Sequence, residues 1–238
     1  MTVKQLPNLP VPLTNVALTK LNNVVYAVGG DQEKSSSNSF FSIDLKDENP
    51  EWMTLTPLPV ALANAVAVAQ NDCIYVIGGR SKTPSGISDL HNTTYIYSCS
   101  QQTWKSGSDI SDGTNPTNFS AGAGVSIGTN LILLLGGDNG TVFHKIETYL
   151  SRISKTTSLE EKIELTSKKN KLSIYHKGFY KGLLLYNTAT NKWIKMGELP
   201  FPAQVTTTAA IWGDDIILSN GEIKPGVRTP NVMLGKIK

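Results

Sequence analysis

Four apolar runs of strand length recur along the chain, and each ends in a glycine signal. They are residues 24–28 before Gly29-Gly30, 74–77 before Gly78-Gly79, 131–135 before Gly136-Gly137, and 216–219 before Asn220-Gly221. The runs are continuously apolar, without the alternation of a half-exposed strand, as expected in a sheet covered on both faces. Glycine reaches positive φ without a Cβ clash, so the chain can bend sharply after each run. Asn220 replaces the first glycine of the fourth pair, and asparagine is the next best residue at left-handed backbone angles.

Each run follows a turn signal: Asn22-Asn23, Asn71-Asp72, Gly128-Thr129-Asn130 and Gly213-Asp214-Asp215. Before the turn lies a second β-rich stretch, such as Val16-Ala17-Leu18 or Val66-Ala67-Val68, so the two predict a hairpin. A third strand is expected at 40–44, 94–97, 183–186 and 232–234. A fourth carries Trp52, Trp104 or Trp193 and often closes on Leu-Pro. Four strands per unit, at a period of roughly fifty residues, predict an all-β fold: a Kelch-type β-propeller. The alternative, a β-sandwich of short strands, does not require a fixed period. The units fall at about 11–59, 60–110, 111–200 and 201–238, within one domain.

Two irregularities modify that plan. Gly136 and Trp193 are 57 residues apart, against 23 for Gly29–Trp52 and 26 for Gly78–Trp104. The third unit therefore carries an insertion between its second and third strands. Within it Val142, Phe143, Ile146, Tyr149, Leu150 and Ile153 recur at helical spacing. Ser158 and Glu161 then form a capping-box pattern ahead of Ile163 and Leu165. Helix is expected over about 141–170, as an excursion across one end of the propeller. At the chain ends, the fourth unit has no tryptophan strand, and residues 3–10 line up with 52–59. Residues 1–10 thus read as the last strand of a blade whose other strands lie elsewhere. Four blades should form an incomplete ring, its apolar faces inviting self-association. The competing arrangement is a closed ring in which residues 2–6 pair with Val232-Met233-Leu234.

Composition narrows the function classes. The 238 residues are 39% hydrophobic and 17% charged, as in an ordinary globular domain. No stretch approaches the ~18 apolar residues of a membrane span, and the opening residues lack the apolar region of a secretory signal. The net charge is +3; residues 141–181 hold nine Lys/Arg against four Glu. That is a solvated basic segment, without the face or stripe of a nucleic-acid binder. Cys73 and Cys99 read as two buried thiols or a single pair. His91, His144 and His176 have no metal-ligand spacing, and no metal or nucleotide cofactor is signalled. Three Asn-x-Ser/Thr sequons start at Asn92, Asn118 and Asn139.

Few motifs carry chemistry. Gly124-Val125-Ser126-Ile127-Gly128 matches the hydrolase nucleophile pattern, but that chemistry needs a strand-to-helix elbow, and here the pentapeptide falls inside a hairpin. Polar loops follow the first two glycine pairs, at 32–39 and 81–88. Arg80 opens the second, where it can meet an anionic ligand or stand as a solvated arginine. The segment 220–229 is more distinctive. Pro225-Gly226 favours a type II turn, which brings Glu222 and Arg228 to flank the loop on one end. The pair is either a presented carboxylate and guanidinium or an ion pair that ties the loop.

Gly221-Glu222-Ile223-Lys224-Pro225-Gly226-Val227-Arg228-Thr229 resembles the GEAKPG-[LV]-RT segment of the bacterial sialic acid mutarotases, the N-acetylneuraminate epimerases. The similarity extends to the insertion in the third unit and to Leu184-Leu185-Tyr186-Asn187-x-x-Thr190-x-x-Trp193, and covers essentially the whole chain. The resemblance implies a six-bladed propeller that interconverts the α and β anomers of N-acetylneuraminate, and a periplasmic setting. In the usual order two further blades follow the motif. A chain that stops soon after it resembles the cyclically permuted branch, whose corresponding blades come first. The resemblance makes Glu222 the proton acceptor and Arg228 the essential arginine, with Arg80 and Lys224 as candidate substrate-binding cations. It implies a sugar-acid substrate, no cofactor, no nucleic acid and no membrane. The rival reading is a non-catalytic propeller that binds protein or glycan through its loops.

Overall fold

The computed structural model describes residues 3–237 and is built from short antiparallel strands with one helical hairpin. The first blade is β1 (Ala17–Leu21), β2 (Val24–Val28), β3 (Phe40–Asp44) and β4 (Met53–Thr54), paired in that order. The second is β5 (Val66–Gln70), β6 (Cys73–Ile77), β9 (Thr94–Ser98) and β10 (Thr103–Ser106). A small ribbon, β7 (Arg80–Ser81) with β8 (Asp89–Leu90), leaves the blade between its second and third strands. The third is β11 (Ala123–Ile127), β12 (Leu131–Leu135), β13 (Gly182–Asn187) and β14 (Lys192–Glu198). The fourth has three strands, β15 (Thr208–Trp212), β16 (Asp215–Ser219) and β19 (Val232–Lys236). A second ribbon, β17 (Glu222–Lys224) with β18 (Val227–Arg228), springs from it.

The predicted strands match these elements to within a residue or two, in the arrangement of a Kelch-type β-propeller. The inner strands β1, β5, β11 and β15 each pack on the next. All four line one channel of about 370 Å³ along the axis. β15 and β1 make no comparable contact. β19 has only β16 beside it, and residues 3–6 pair with no strand. The expected strand at 2–6 is therefore not formed over its described part, because no neighbouring strand offers it a ladder; Met1 and Thr2 lie outside the described residues.

The leading segment is nevertheless tied to blade one. The indole N–H of Trp52 donates to Pro7 O at 3.0 Å, as Trp104 does to Thr56 O (2.9 Å) and Trp193 to Ser108 O (3.1 Å). Pro7 stands at the position of Thr56 in the alignment of 3–10 with 52–59.

Apolar layers between consecutive blades hold the fold. Phe40, Leu58, Leu62, Ile74 and Val76 fill the first interface. Phe119, Ile132, Leu134, Tyr186 and Trp193 fill the second, and Ala123, Val125, Leu133, Leu135, Ile216 and Leu218 the third. The glycine pairs serve these contacts as well as the bend. A Cβ on Gly29, Gly78 or Gly136 would fall on the carbonyl oxygen of Leu62, Phe119 or Gln204 in the next inter-blade connection. The second glycine donates to that same oxygen: Gly30 to Leu62, Gly79 to Phe119 and Gly137 to Gln204, at 2.8, 2.8 and 2.9 Å. Each pair is a cradle for one carbonyl.

The insertion forms α1 (Thr141–Lys155) and α2 (Leu159–Ile174). α1 begins at Gly140, whose left-handed φ of 79° suits glycine, and where a Cβ would collide with Leu90. The helix is pinned to blade two: Glu147 accepts from Ser88 N and Ser88 Oγ, both at 2.8 Å, and Ser151 Oγ donates to Ser85 O at 2.7 Å. The capping box at α2 is half made. Ser158 Oγ accepts from Glu161 N at 3.2 Å, while the Glu161 carboxylate turns instead to Thr156 Oγ1 and Arg152. Leu165 is buried and Ile163 is exposed.

Cys73 and Cys99 are free and only half-buried rather than buried, since both flank the exposed Asn71-Asp72 turn. Burial still pushes both thiols above their usual range. Ser126 lies mid-hairpin opposite Ile132, with no histidine hydrogen-bonded to it among the described residues. Gly124 is small because Val66 and Val68 pack against it.

Candidate active site

The residue after each glycine signal occupies one equivalent place in the four blades. Asp31, Arg80, Asp138 and Glu222 each exchange two backbone hydrogen bonds with the chain entering their own blade. Their partners are Thr14, Ala63, Ser120 and Val205, at 2.6–3.0 Å. The residues that follow those partners, Asn15, Asn64, Ala121 and Thr206, are all left-handed, with φ of 55°, 55°, 54° and 49°. They are linked from blade to blade: Asn64 N donates to Asn15 O (3.1 Å), Ala121 N to Asn64 O (2.8 Å) and Thr206 N to Ala121 O (2.7 Å). A partial collar of backbone thus surrounds one end of the axis, with a charged side chain beside it in every blade.

A cavity of about 290 Å³ opens over this collar. All four left-handed residues line it, together with Arg80, Asp138 and Glu222. The helical insertion supplies the opposite wall: Phe143 and Ile146 from α1, and His176 and Phe179 from the loop after α2. The predicted excursion over one end of the propeller is therefore what encloses the site.

Arg80 is fixed by a carboxylate. Its Nη2 lies 2.6 Å from Oδ2 of Asp31, whose side chain is almost wholly buried. Asp31 also accepts from Asn15 Nδ2 and Ser36 Oγ, each at 3.0 Å. A guanidinium has five N–H donors, so this bond orients Arg80 and leaves others for the cavity. Glu222 reaches the cavity from blade four. Its Oε1 accepts from Gly226 N at 2.8 Å, across the Pro225-Gly226 turn, where Gly226 has φ of 76°. Arg228 is the cross-strand partner of Glu222, with Nη2 3.9 Å from Oε2. Its side chain is 72% exposed and does not line the cavity. Lys224 is also exposed and outside the lining. The structure thus brings Glu222 and Arg80 together, and sets Arg228 and Lys224 on the outer side of the same ribbon.

Three charged or titratable neighbours were not singled out from sequence: Asp31, Asp138 and His176. For the aspartates a signal existed, since each follows a glycine pair as Arg80 does. Burial raises the Asp138 carboxyl, opposed by the N–H of Gly140, by His176 and by the N–H of Asn139. Burial lowers the His176 imidazole; Asp138 opposes this and Lys224 adds to it. A second polar pair, Ser81 Oγ and His91 Nε2 at 2.8 Å, is structural. Ser81 donates its own proton to Ala61 O at 2.6 Å, so the histidine is the donor and no nucleophile is activated. Among the described residues no group of three or more His, Cys, Asp or Glu side chains could hold a metal ion. Among the same residues no helix is long and apolar enough to cross a membrane.

The blades and the backbone collar at one end of their axis define a Kelch-type propeller, and a solved structure titled "Structure of YjhT" has the same fold. It superposes with a TM-score of 0.79 at 21% identity, covering 98% of this chain and 67% of that one. A family model described as N-acetylneuraminate epimerase matches residues 6–238, and the chain belongs to that family. The N-acetylneuraminate epimerase of Haemophilus influenzae (strain PittEE) is 30% identical over 231 residues, which are 97% of this chain and 59% of that protein. That of Salmonella typhimurium is 30% identical over 226 residues, 94% of this chain and 56% of that protein. The chain spans about three fifths of the length of these relatives.

Proposed function

We propose that this chain carries the proton-transfer part of a mutarotase that interconverts the α and β anomers of N-acetylneuraminate. The observation that supports this most directly is the Glu222 carboxylate and the Asp31-held Arg80 guanidinium facing one cavity at the propeller mouth. Family membership points the same way. In this reading Glu222 removes the proton of the anomeric hydroxyl. The bond from the anomeric carbon to the ring oxygen breaks, the ring oxygen gains a proton, and the open keto acid recloses on either face. One positioned base is worth typically 10²–10⁴-fold. Arg80, which lines the cavity, grips the substrate carboxylate through its planar fork, while Arg228 backs Glu222 from the outer side of the ribbon, its Nη2 3.9 Å from Oε2. Lys224, on the β17–β18 ribbon and outside the lining, adds positive charge at the mouth.

One-dimensional NMR of anomer exchange with N-acetylneuraminate tests the proposal. Glu222→Gln, nearly isosteric but unable to accept the proton, should lose the acceleration by about 10²–10⁴-fold with the fold intact. Exchange at the unmutated rate in Glu222→Gln overturns it. Binding of the sugar acid with no acceleration by the unmutated chain would instead mark a glycan-binding module.

A further inference from the structure

We propose that the Nε2–H of His176 is a fixed hydrogen-bond donor to the sugar acid in this cavity, aimed at the oxygen that gains charge as the ring opens. This rests on the mutarotase reading above and adds to it a group on the insertion, beside the β17–β18 ribbon that carries Glu222.

The tautomer is set by the backbone. His176 is 6% exposed, and its Nδ1 accepts from Gly178 N at 3.1 Å. A neutral imidazole with Nδ1 accepting carries its proton on Nε2. That atom makes no hydrogen bond among the described residues and is not sealed in the interior. Since the side chain lines the cavity, its free donor direction is the cavity. The ring is steadied from the side by Phe179, with centroids 4.9 Å apart. The charged groups around it are Asp138 from blade three and Lys224 from the β17–β18 ribbon, with Glu222 and Arg80 lining the same cavity. Burial, aided by Lys224 and opposed by Asp138, keeps the imidazole neutral at neutral pH.

A neutral imidazole is suited to this task and not to giving up its proton outright. Glu222 takes the proton of the anomeric hydroxyl, and that oxygen becomes the keto oxygen as the ring bond breaks. The bonding pair goes to the ring oxygen, where His176 donates a hydrogen bond. The proton held by Glu222 returns to that oxygen through solvent, so no proton is gained or lost overall. Preorganised donors at developing charge typically contribute 10²–10³-fold in rate.

The test combines ring-¹⁵N NMR of histidine-labelled chain with anomer-exchange rates. In the free chain, His176 should show Nδ1 unprotonated and Nε2 protonated at neutral pH, and N-acetylneuraminate should shift the Nε2 signal. His176→Phe should slow exchange about 100-fold while changing the Kd for the sugar acid far less. His176→Gln, which keeps an N–H near the same place, should recover most of the rate and guards against misfolding of the first variant. A protonated Nδ1, or unmutated exchange rates in His176→Phe, overturns the proposal and leaves the mutarotase reading standing. If the unmutated chain accelerates nothing, that reading falls instead; a ligand-induced Nε2 shift would still support the contact, and its absence would sink both.

Discussion

The second strands of the middle blades and of the fourth blade begin from the same sequence pattern and end in different surroundings. In β6 and β12 the last four residues are all buried. In β16 the burial alternates, with Ile216 and Leu218 buried and Asp215, Ile217 and Ser219 half-buried. Blade four packs on blade three through one face only. On its other face Ala210, Ile217 and Leu234 stand in cross-strand register, as do Thr208, Ser219 and Val232. Leu234 and Val232 are 63% and 64% exposed. The difference teaches that an apolar run with a glycine signal specifies a blade strand, while the neighbouring blades decide how much of it is buried.

The comparison can be broken most forcefully at two tryptophans. Trp193 is 5% exposed, stacks on Tyr186 at 4.8 Å and donates to Ser108 O; Trp212 is 77% exposed. Trp193→Ala should cost about 3–5 kcal/mol, and Trp212→Ala no more than about 0.5 kcal/mol, read from urea unfolding. Equal losses would mean that blade four is buried in solution. A smaller contrast should appear at the bends. Gly78→Ala drives a Cβ onto Phe119 O at a left-handed φ, for about 2–3 kcal/mol. Asn220 already carries a Cβ at φ 46°, so Asn220→Ala should cost only about 1 kcal/mol.

The smallest expected effect is a pH dependence confined to the second and third units. Burial depresses both His91 and His176, so the native chain binds fewer protons than the unfolded one. Their contribution is complete above the unfolded histidine value near ~6.5. It falls as pH drops from there toward the native values. His176→Phe should flatten part of that slope in urea midpoints measured across the range. Asp138 acts oppositely at lower pH. Its raised carboxyl takes up a proton before the unfolded carboxyls do, so its own contribution rises with acidification through that window.

Strand positions were legible because period, turn residues and glycine pairs are local signals; the helical insertion was legible because its spacing changes from strand to helix. Glu222 and Arg80 were found through their loops, and the fold brings them to one cavity. Asp31 and Asp138 were missed although they share Arg80's position after the glycine pair. That equivalence becomes meaningful only once the blades are seen to converge on an axis. His176 had no signal, since two helices carry it back from the third blade to the mouth. Arg228 shows the limit of register: it pairs with Glu222 as the turn predicts, yet its side chain leaves the cavity for solvent.

The collar that runs Asn15, Asn64, Ala121, Thr206 behaves like a series of measured joints. Each blade is located from the one before it at that end of the axis by one collar bond and by the carbonyl that the preceding glycine pair cradles. A small displacement at each joint therefore adds along the series, as tolerances add along a linked assembly. Groups one joint apart, such as Asp31 and Arg80, keep a 2.6 Å contact. Asp31 and Glu222, three joints apart, inherit the summed play of the whole run. The spacing between the two ends of the site is accordingly its softest dimension, and a ligand that touches both ends would be the natural brace for it.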